Sequence, residues 1–183
     1  MIWKPNPIWT LAGATLISSP IYVQAKIYAS TEQVQKIIFP GSVFKSRPLV
    51  IDADLQNKMR LASGVRHPFR GERIFQDSKG NWLIVDEVVG KHEMITYAVG
   101  LHHSGEIQGI EIMEYSESYG YEVANADWRR QFIGKKESDP IKLNRDIQNI
   151  SGATLSCKHI TDGVKRVLVL HKLALENNSG KEK

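Results

Sequence analysis

The stretch Ile150-Ser151-Gly152-Ala153-Thr154-Leu155-Ser156-Cys157 places a glycine and three hydroxyls directly ahead of the longest helical pattern in the chain. It contains no histidine or carboxylate, so none of its hydroxyls has a local base to activate it. A different chemistry is open to it. Backbone N–H groups at a helix start, together with the positive end of the helix dipole, favour a phosphate. Gly152 can take backbone angles closed to other residues, as a phosphate cradle requires. The same residues would equally form an ordinary turn with a helix cap, and their types alone leave both readings open.

Other chemistry-bearing residues point to less. His102-His103 could suggest a metal, but adjacent histidines on a hairpin link are expected to point apart, and no Cys or carboxylate stands at ligand spacing. His159 and His171 fall on the last helical pattern, where surface or boundary roles are expected. The sequence has no Cys-x-x-Cys-His and no Gly-x-Ser-x-Gly, which removes attached c-type haem and the nucleophile elbow of serine hydrolases. The single cysteine, Cys157, rules out an intramolecular disulfide and reads as a small buried apolar residue. Neither a metal site nor a catalytic set is expected.

The elements that must position the hydroxyl-rich loop can be read from periodicity. The final helix is expected to start near Ser156, with Cys157, Ile160, Val164, Leu168, His171 and Leu175 on one face. Three adjacent antiparallel strands are predicted at Trp82–Val89, Glu93–Leu101 and Glu106–Glu114, the last two joined by His102-His103-Ser104-Gly105. Ser30-Thr31-Glu32-Gln33 has the spacing of a capping box and predicts a short helix through Val34, Ile37 and Ile38, stopped by Pro40-Gly41. Asn125-Ala126-Asp127 predicts a second short helix through Trp128 and Phe132, closed by Gly134. Asp54 to Leu61 reads as a helix, the rest of 42–80 has no clear pattern, and the tail from Asn177 reads as frayed. Trp82, Tyr97 and Trp128 read as core aromatics. The fold class is α+β: a central antiparallel sheet flanked by helices, ending in a long C-terminal helix.

The chain has 183 residues, 42% hydrophobic and 24% charged, enough for one substantial core. Its net charge of +4 comes without a dense Lys/Arg run interleaved with aromatics, so no nucleic-acid partner is expected. At the N-terminus, Lys4 precedes a mostly apolar run from Ile8 to Val23 and small-residue chemistry at Val23-Gln24-Ala25. Residues 1–25 therefore read as an export signal cleaved after Ala25, with an uncleaved anchor as the alternative, and 26–183 as the mature domain. The run falls short of the ~20 residues that a spanning helix needs.

Ser151-Gly152-Ala153-Thr154, followed by an apolar residue and Ser156, resembles the flavinylation motif of the FMN-binding domain family, whose members include components of the sodium-translocating NADH:quinone reductase and of the related Rnf electron-transport complex. The resemblance extends from the Phe39-Pro40-Gly41 helix end to the last helix. Glu117 and Gly120 look like the family's Glu-x-x-Gly segment, and Trp128, Phe132, Gly134 and Lys135 are similar to the stretch after it. Two positions depart: Gln148 stands where the family often has Asp, with Asp146 two positions earlier, and Glu122 where a second glycine often follows.

The resemblance implies FMN joined covalently to Thr154 by a phosphoester, within a recognition loop of Ser151, Gly152, Ala153, Leu155 and Ser156. It also implies Glu117 and Gly120 as part of the flavin wall, and a flavin transferase that installs FMN outside the cytoplasm. Any of the core aromatics, or Tyr119 or Tyr121, would supply a ring able to stack on the flavin. The expected function is an exported periplasmic, membrane-associated electron carrier relaying electrons between a membrane donor and a periplasmic or membrane acceptor, rather than a stand-alone enzyme. The alternatives are a flavin-dependent reductase of a small substrate and a secreted binding module without flavin.

Overall fold

A computed structural model describes residues 26–176, so the expected export segment 1–25 and the tail from Asn177 lie outside the described residues. Six strands, β1 (Lys26–Ile27), β2 (Phe44–Ser46), β3 (Ile74–Asp77), β4 (Trp82–Val89), β5 (Met94–Leu101) and β6 (Ile107–Tyr115), form one sheet in the order β1-β6-β5-β4-β3-β2. Every pairing is antiparallel. The helices are α1 (Thr31–Ile38), α2 (Ala53–Ser63), α3 (Ala126–Arg129) and α4 (Thr154–Leu170), and α4 runs on through a π turn at His171–Leu175. The architecture is α+β, as the sequence implies.

Strand alternation sends Ile95, Tyr97, Val99 and Leu101 of β5 into the larger core beneath α4, while Ala98 faces a smaller core beneath α1. On β4, Trp82, Ile84 and Val88 face α4, and Leu83 and Val85 face α1. With both faces covered, β4 reads as a near-continuous apolar run instead of an alternating one. The α1 side is packed closely. A Cβ on Gly100 would lie 2.5 Å from Ile38 Cγ2, so only glycine lets the helix sit this near the sheet.

α1 begins with the expected capping box, in which Ser30 accepts from the Gln33 N–H and Gln33 returns its side chain to the Ser30 N–H. Asp52 caps α2, which contains the predicted 54–61 segment and ends at Gly64 in the left-handed region. The helix predicted through Phe132 is α-helical only to Arg129 and then tightens into a 3₁₀ turn at Arg130–Phe132, with Asn125 as its cap. β1, β2 and β3 carry no alternation long enough to be read from sequence. His102 and His103 do not diverge as expected: their ring centroids are 3.9 Å apart. Ser104 Oγ lies 2.9 Å from His102 Nδ1, and the His103 N–H is tied to Asn81 Oδ1 at 3.2 Å.

α4 is fixed to the sheet by a buried charge network as well as by apolar packing. Arg166, fully buried, donates through Nη2 to both oxygens of Asp86 at 2.7 Å and to the Glu87 carbonyl at 2.7 Å. Its Nη1 donates to the His67 carbonyl at 2.6 Å. Tyr97 Oη donates to Asp86 Oδ2 at 2.5 Å, and burial together with that carboxylate holds the phenol well above its ordinary pKa. Gly163 makes room for this network, since a Cβ there would lie 2.3 Å from Tyr97 Oη.

Candidate functional site

The hydroxyl-rich loop opens α4 two residues earlier than its apolar periodicity indicates, because the residues of its first turn face a cavity and solvent while the core stripe starts at Cys157. Ala153 sits at the cap position and contributes no side-chain hydrogen bond, so the first-turn N–H groups are not capped by a Ser or Asp side chain. Gly152 holds φ at +86°, the left-handed conformation that turns the loop into the helix.

A cavity of about 550 Å³ lies against this turn. It has three walls: Gly152 to Ser156 of the loop and helix start, Ser116 to Gly120 after β6, and Lys91 to Glu93 in the β4–β5 link. Seven of the eight residues that the sequence singles out, Gly152, Ala153, Thr154, Leu155, Ser156, Glu117 and Gly120, are brought together here. Ser151 is exposed and lies outside the walls. Thr154 is exposed, with Oγ1 accepting from Asn149 Nδ2 at 2.9 Å. Its hydroxyl proton is not engaged by that bond.

The walls are stitched to one another. Tyr115 Oη donates to the Tyr119 carbonyl at 2.5 Å and accepts from Ser156 Oγ at 2.8 Å, which joins the post-β6 wall to α4. Burial raises the Tyr115 pKa, so the phenol keeps the proton this arrangement needs. A Cβ on Gly120 would lie 2.5 Å from Ser156 Oγ and 2.6 Å from Tyr115 Oη, and φ is +87°, so both space and conformation demand glycine. Glu117 turns its carboxylate onto the β4–β5 link, accepting the N–H of Glu93 at 3.0 Å and that of His92. Partial burial would raise its pKa, but these backbone donors, joined by Lys91, hold it below the ordinary carboxylate value. His159 Nδ1 donates to the Gly90 carbonyl at 3.1 Å and ties α4 to the same link.

Gln148, which departs from the motif, and Asp146 two positions earlier have other partners. Gln148 is exposed, and its backbone is held from both sides: its N–H donates to Gln131 Oε1 at 2.7 Å and its carbonyl accepts from Trp128 Nε1 at 2.7 Å. Asp146 accepts the N–H groups of Ile141 and Lys142 and pairs with Lys135 at 3.2 Å, so its carboxylate braces its own loop. It does not stand in for the missing acid. Cys157 is fully buried, and burial raises its thiol pKa, as an inert core residue requires. Among the described residues no group of three or more His, Cys, Asp or Glu side chains is arranged to hold a metal.

The sequence model of the FMN-binding domain matches residues 90–169. These residues belong to the FMN-binding domain family. Every residue lining the cavity lies within the matched segment, whereas β1 to β4, α1 and α2 lie outside it. A search of curated proteins finds no match to the chain. The residues present fit FMN on three counts: the cavity has the volume of a small-molecule site, an accessible hydroxyl stands at its edge, and Leu155, Ala153 and Tyr119 supply apolar surface for a ring. Lys91 to Glu93, Ser116, Ser118, Tyr115 and Asn149 were not marked as site residues by the sequence. Only the sheet register carries the β4–β5 link to the helix start, and no local motif signals that approach.

Proposed function

We propose that this chain is an exported electron carrier whose FMN is bonded through its phosphate to Thr154 Oγ1, relaying electrons between a membrane donor and a periplasmic or membrane acceptor. The observation that carries the reading is the exposed Thr154 hydroxyl at the edge of a cavity whose lining belongs entirely to the FMN-binding domain. Bound FMN supplies one- and two-electron redox chemistry, for which the protein sets position and exposure.

The chain's own residues have separate tasks in this reading. Asn149 orients Thr154 Oγ1 by donating to it, leaving the hydroxyl proton free to depart as the flavin transferase would move the FMN phosphoryl group from FAD to Oγ1, breaking the pyrophosphate bond and releasing AMP. The uncapped first turn of α4 would offer the phosphate its N–H groups and the positive dipole end. Glu117 holds the β4–β5 link as a fixed wall, and Tyr115 holds the post-β6 wall against Ser156. A covalent link also suits a protein outside the cytoplasm, where a cofactor lost by diffusion is not replaced.

Intact-mass measurement of protein exported by its own host tests this, alongside Thr154→Ala. The expected result is an addition of the size of FMN on the wild type and none on the variant. Identical, unmodified masses for both would remove the covalent reading, and recovery of the wild type in the cytoplasm would remove the export reading.

A further inference from the structure

Two apolar side chains on different walls of the cavity stand in water. Tyr119 is 81% exposed and Leu155 46% exposed. Their main chains are nonetheless fixed. The Tyr119 carbonyl accepts a hydrogen bond from the Tyr115 phenol at 2.5 Å and is followed by Gly120, packed so closely that a Cβ there would lie 2.5 Å from Ser156 Oγ, while Leu155 lies in the first turn of α4. The backbone is thus held in place while the ring and the isobutyl group remain free to cover something flat. Leu155 directly follows Thr154 and lines the same cavity as Tyr119, so a ring carried on a flexible ribityl phosphate at Oγ1 can fold back between the two.

The other aromatics nearby are less suited. The Tyr115 ring is buried and its oxygen has two partners. Tyr121, 52% exposed, lies outside the cavity walls. Resting on the FMN reading above, we propose that the isoalloxazine ring is held between Tyr119 and Leu155, with the Tyr119 phenol stacked on its face. Aromatic pairs of this kind favour an offset stack, which an exposed ring on a pinned backbone can adopt without moving the wall. Tyr119 is therefore a cofactor-contacting residue that positions the ring, and Leu155 excludes water from its other face.

Emission of the bound flavin reads this directly, because a stacked phenol quenches an excited flavin by electron donation and a phenylalanine ring does not. On protein whose mass confirms the adduct, wild-type emission is expected to rise several-fold on unfolding in urea. Tyr119→Phe gains several-fold emission when folded, Tyr119→Trp restores quenching, and Tyr119→Ser gains emission and becomes more accessible to iodide. Tyr121→Phe, outside the cavity walls, leaves emission unchanged. Folded Tyr119→Phe and Tyr119→Ser with wild-type emission and intact adduct would overturn the proposal, as would a rise in Tyr121→Phe instead. If the wild type carries no adduct, the attachment reading fails separately, and the same comparison on protein titrated with free FMN decides Tyr119: quenching lost in Tyr119→Phe supports stacking, and no quenching in the wild type overturns it.

Discussion

Gly120 and Gly152 give a matched pair of perturbations at the site. Both hold φ near the same left-handed value, +87° and +86°. An alanine at either position carries the backbone cost of that conformation, roughly 1–2 kcal/mol. At Gly152 nothing lies within 4 Å of the added Cβ, so that cost is the whole effect. At Gly120 the Cβ falls 2.5 Å from Ser156 Oγ and 2.6 Å from Tyr115 Oη, which forces apart the hydroxyl pair joining two cavity walls. Displacing that pair adds about 2 kcal/mol from overpacking and a weakened hydrogen bond. Gly120→Ala is therefore expected to cost about 3–4 kcal/mol, which for a chain of this length lowers Tm by roughly 6–16 °C, and Gly152→Ala by roughly 2–8 °C. Thermal and urea unfolding of both variants measure the difference. In a Tyr115→Phe background, which removes one of the two clashing oxygens, Gly120→Ala should cost about 1 kcal/mol less than in the wild type. Equal costs for the two glycines, or no change in the Tyr115→Phe background, would refute the claim that Gly120 is required by the packing of the walls.

Arg166→Ala leaves the buried Asp86 carboxylate without its guanidinium and should cost about 3–5 kcal/mol in urea unfolding, whereas Arg166→Met combined with Asp86→Leu should recover most of it. The folded-state pKa of Glu117 lies below the ordinary value of 4.5, so its stabilisation is complete above that pH and is lost as pH falls through the folded value. Glu117→Gln should flatten the loss of urea stability measured between about pH 6 and about pH 3, while Asp77 and Asp146, also held low, keep part of the slope. Asn149→Ala removes the donor to Thr154 Oγ1 and should slow the appearance of the FMN mass increment in exported protein, with stability changed by less than about 0.5 kcal/mol because the site is exposed.

The sequence was most informative where one physical rule acts alone. β4 and β5 were legible because their apolar residues alternate or run together over eight residues, and α1 because Ser30 and Gln33 satisfy each other locally. β2 and β3 were not, since three- and four-residue strands are selected by pairing with each other and, through β3, with β4 rather than by their own composition. The start of α4 was displaced because periodicity reports the buried stripe, and Thr154 and Leu155 face outward. A short motif singles out Thr154, but nothing in the sequence singles out its hydrogen-bond partner Asn149, because the bond between them depends on how the loop folds. Asp86 and Arg166, 80 residues apart, carry no signal of their meeting in a single sequence.

On the proposed reading, the placement of these groups lets one helix serve as both anchor and attachment point. Arg166 lies twelve residues beyond Thr154, about 18 Å along the α4 axis at 1.5 Å per residue. Its buried bonds to Asp86, Glu87 and His67 fix the far part of α4 to the sheet and to the segment after α2. The near end is held by hydrogen bonds at the cavity walls, from Ser156 to Tyr115 and from His159 to Gly90. The helix start is thereby rigid without being buried, which is what a group attached at Thr154 needs if it is to stay in register and still exchange electrons at the surface. A cofactor retained by burial would have to be covered, and covering it would lengthen the path to a partner. On the proposed reading the ester supplies the retention instead, so the cavity can remain open and Tyr119 and Leu155 can grip the ring from exposed positions. The prediction specific to this division is that Arg166→Met with Asp86→Leu, if it folds as well as the wild type, leaves the emission of the attached flavin unchanged, while Ser156→Ala, at the near end, alters it.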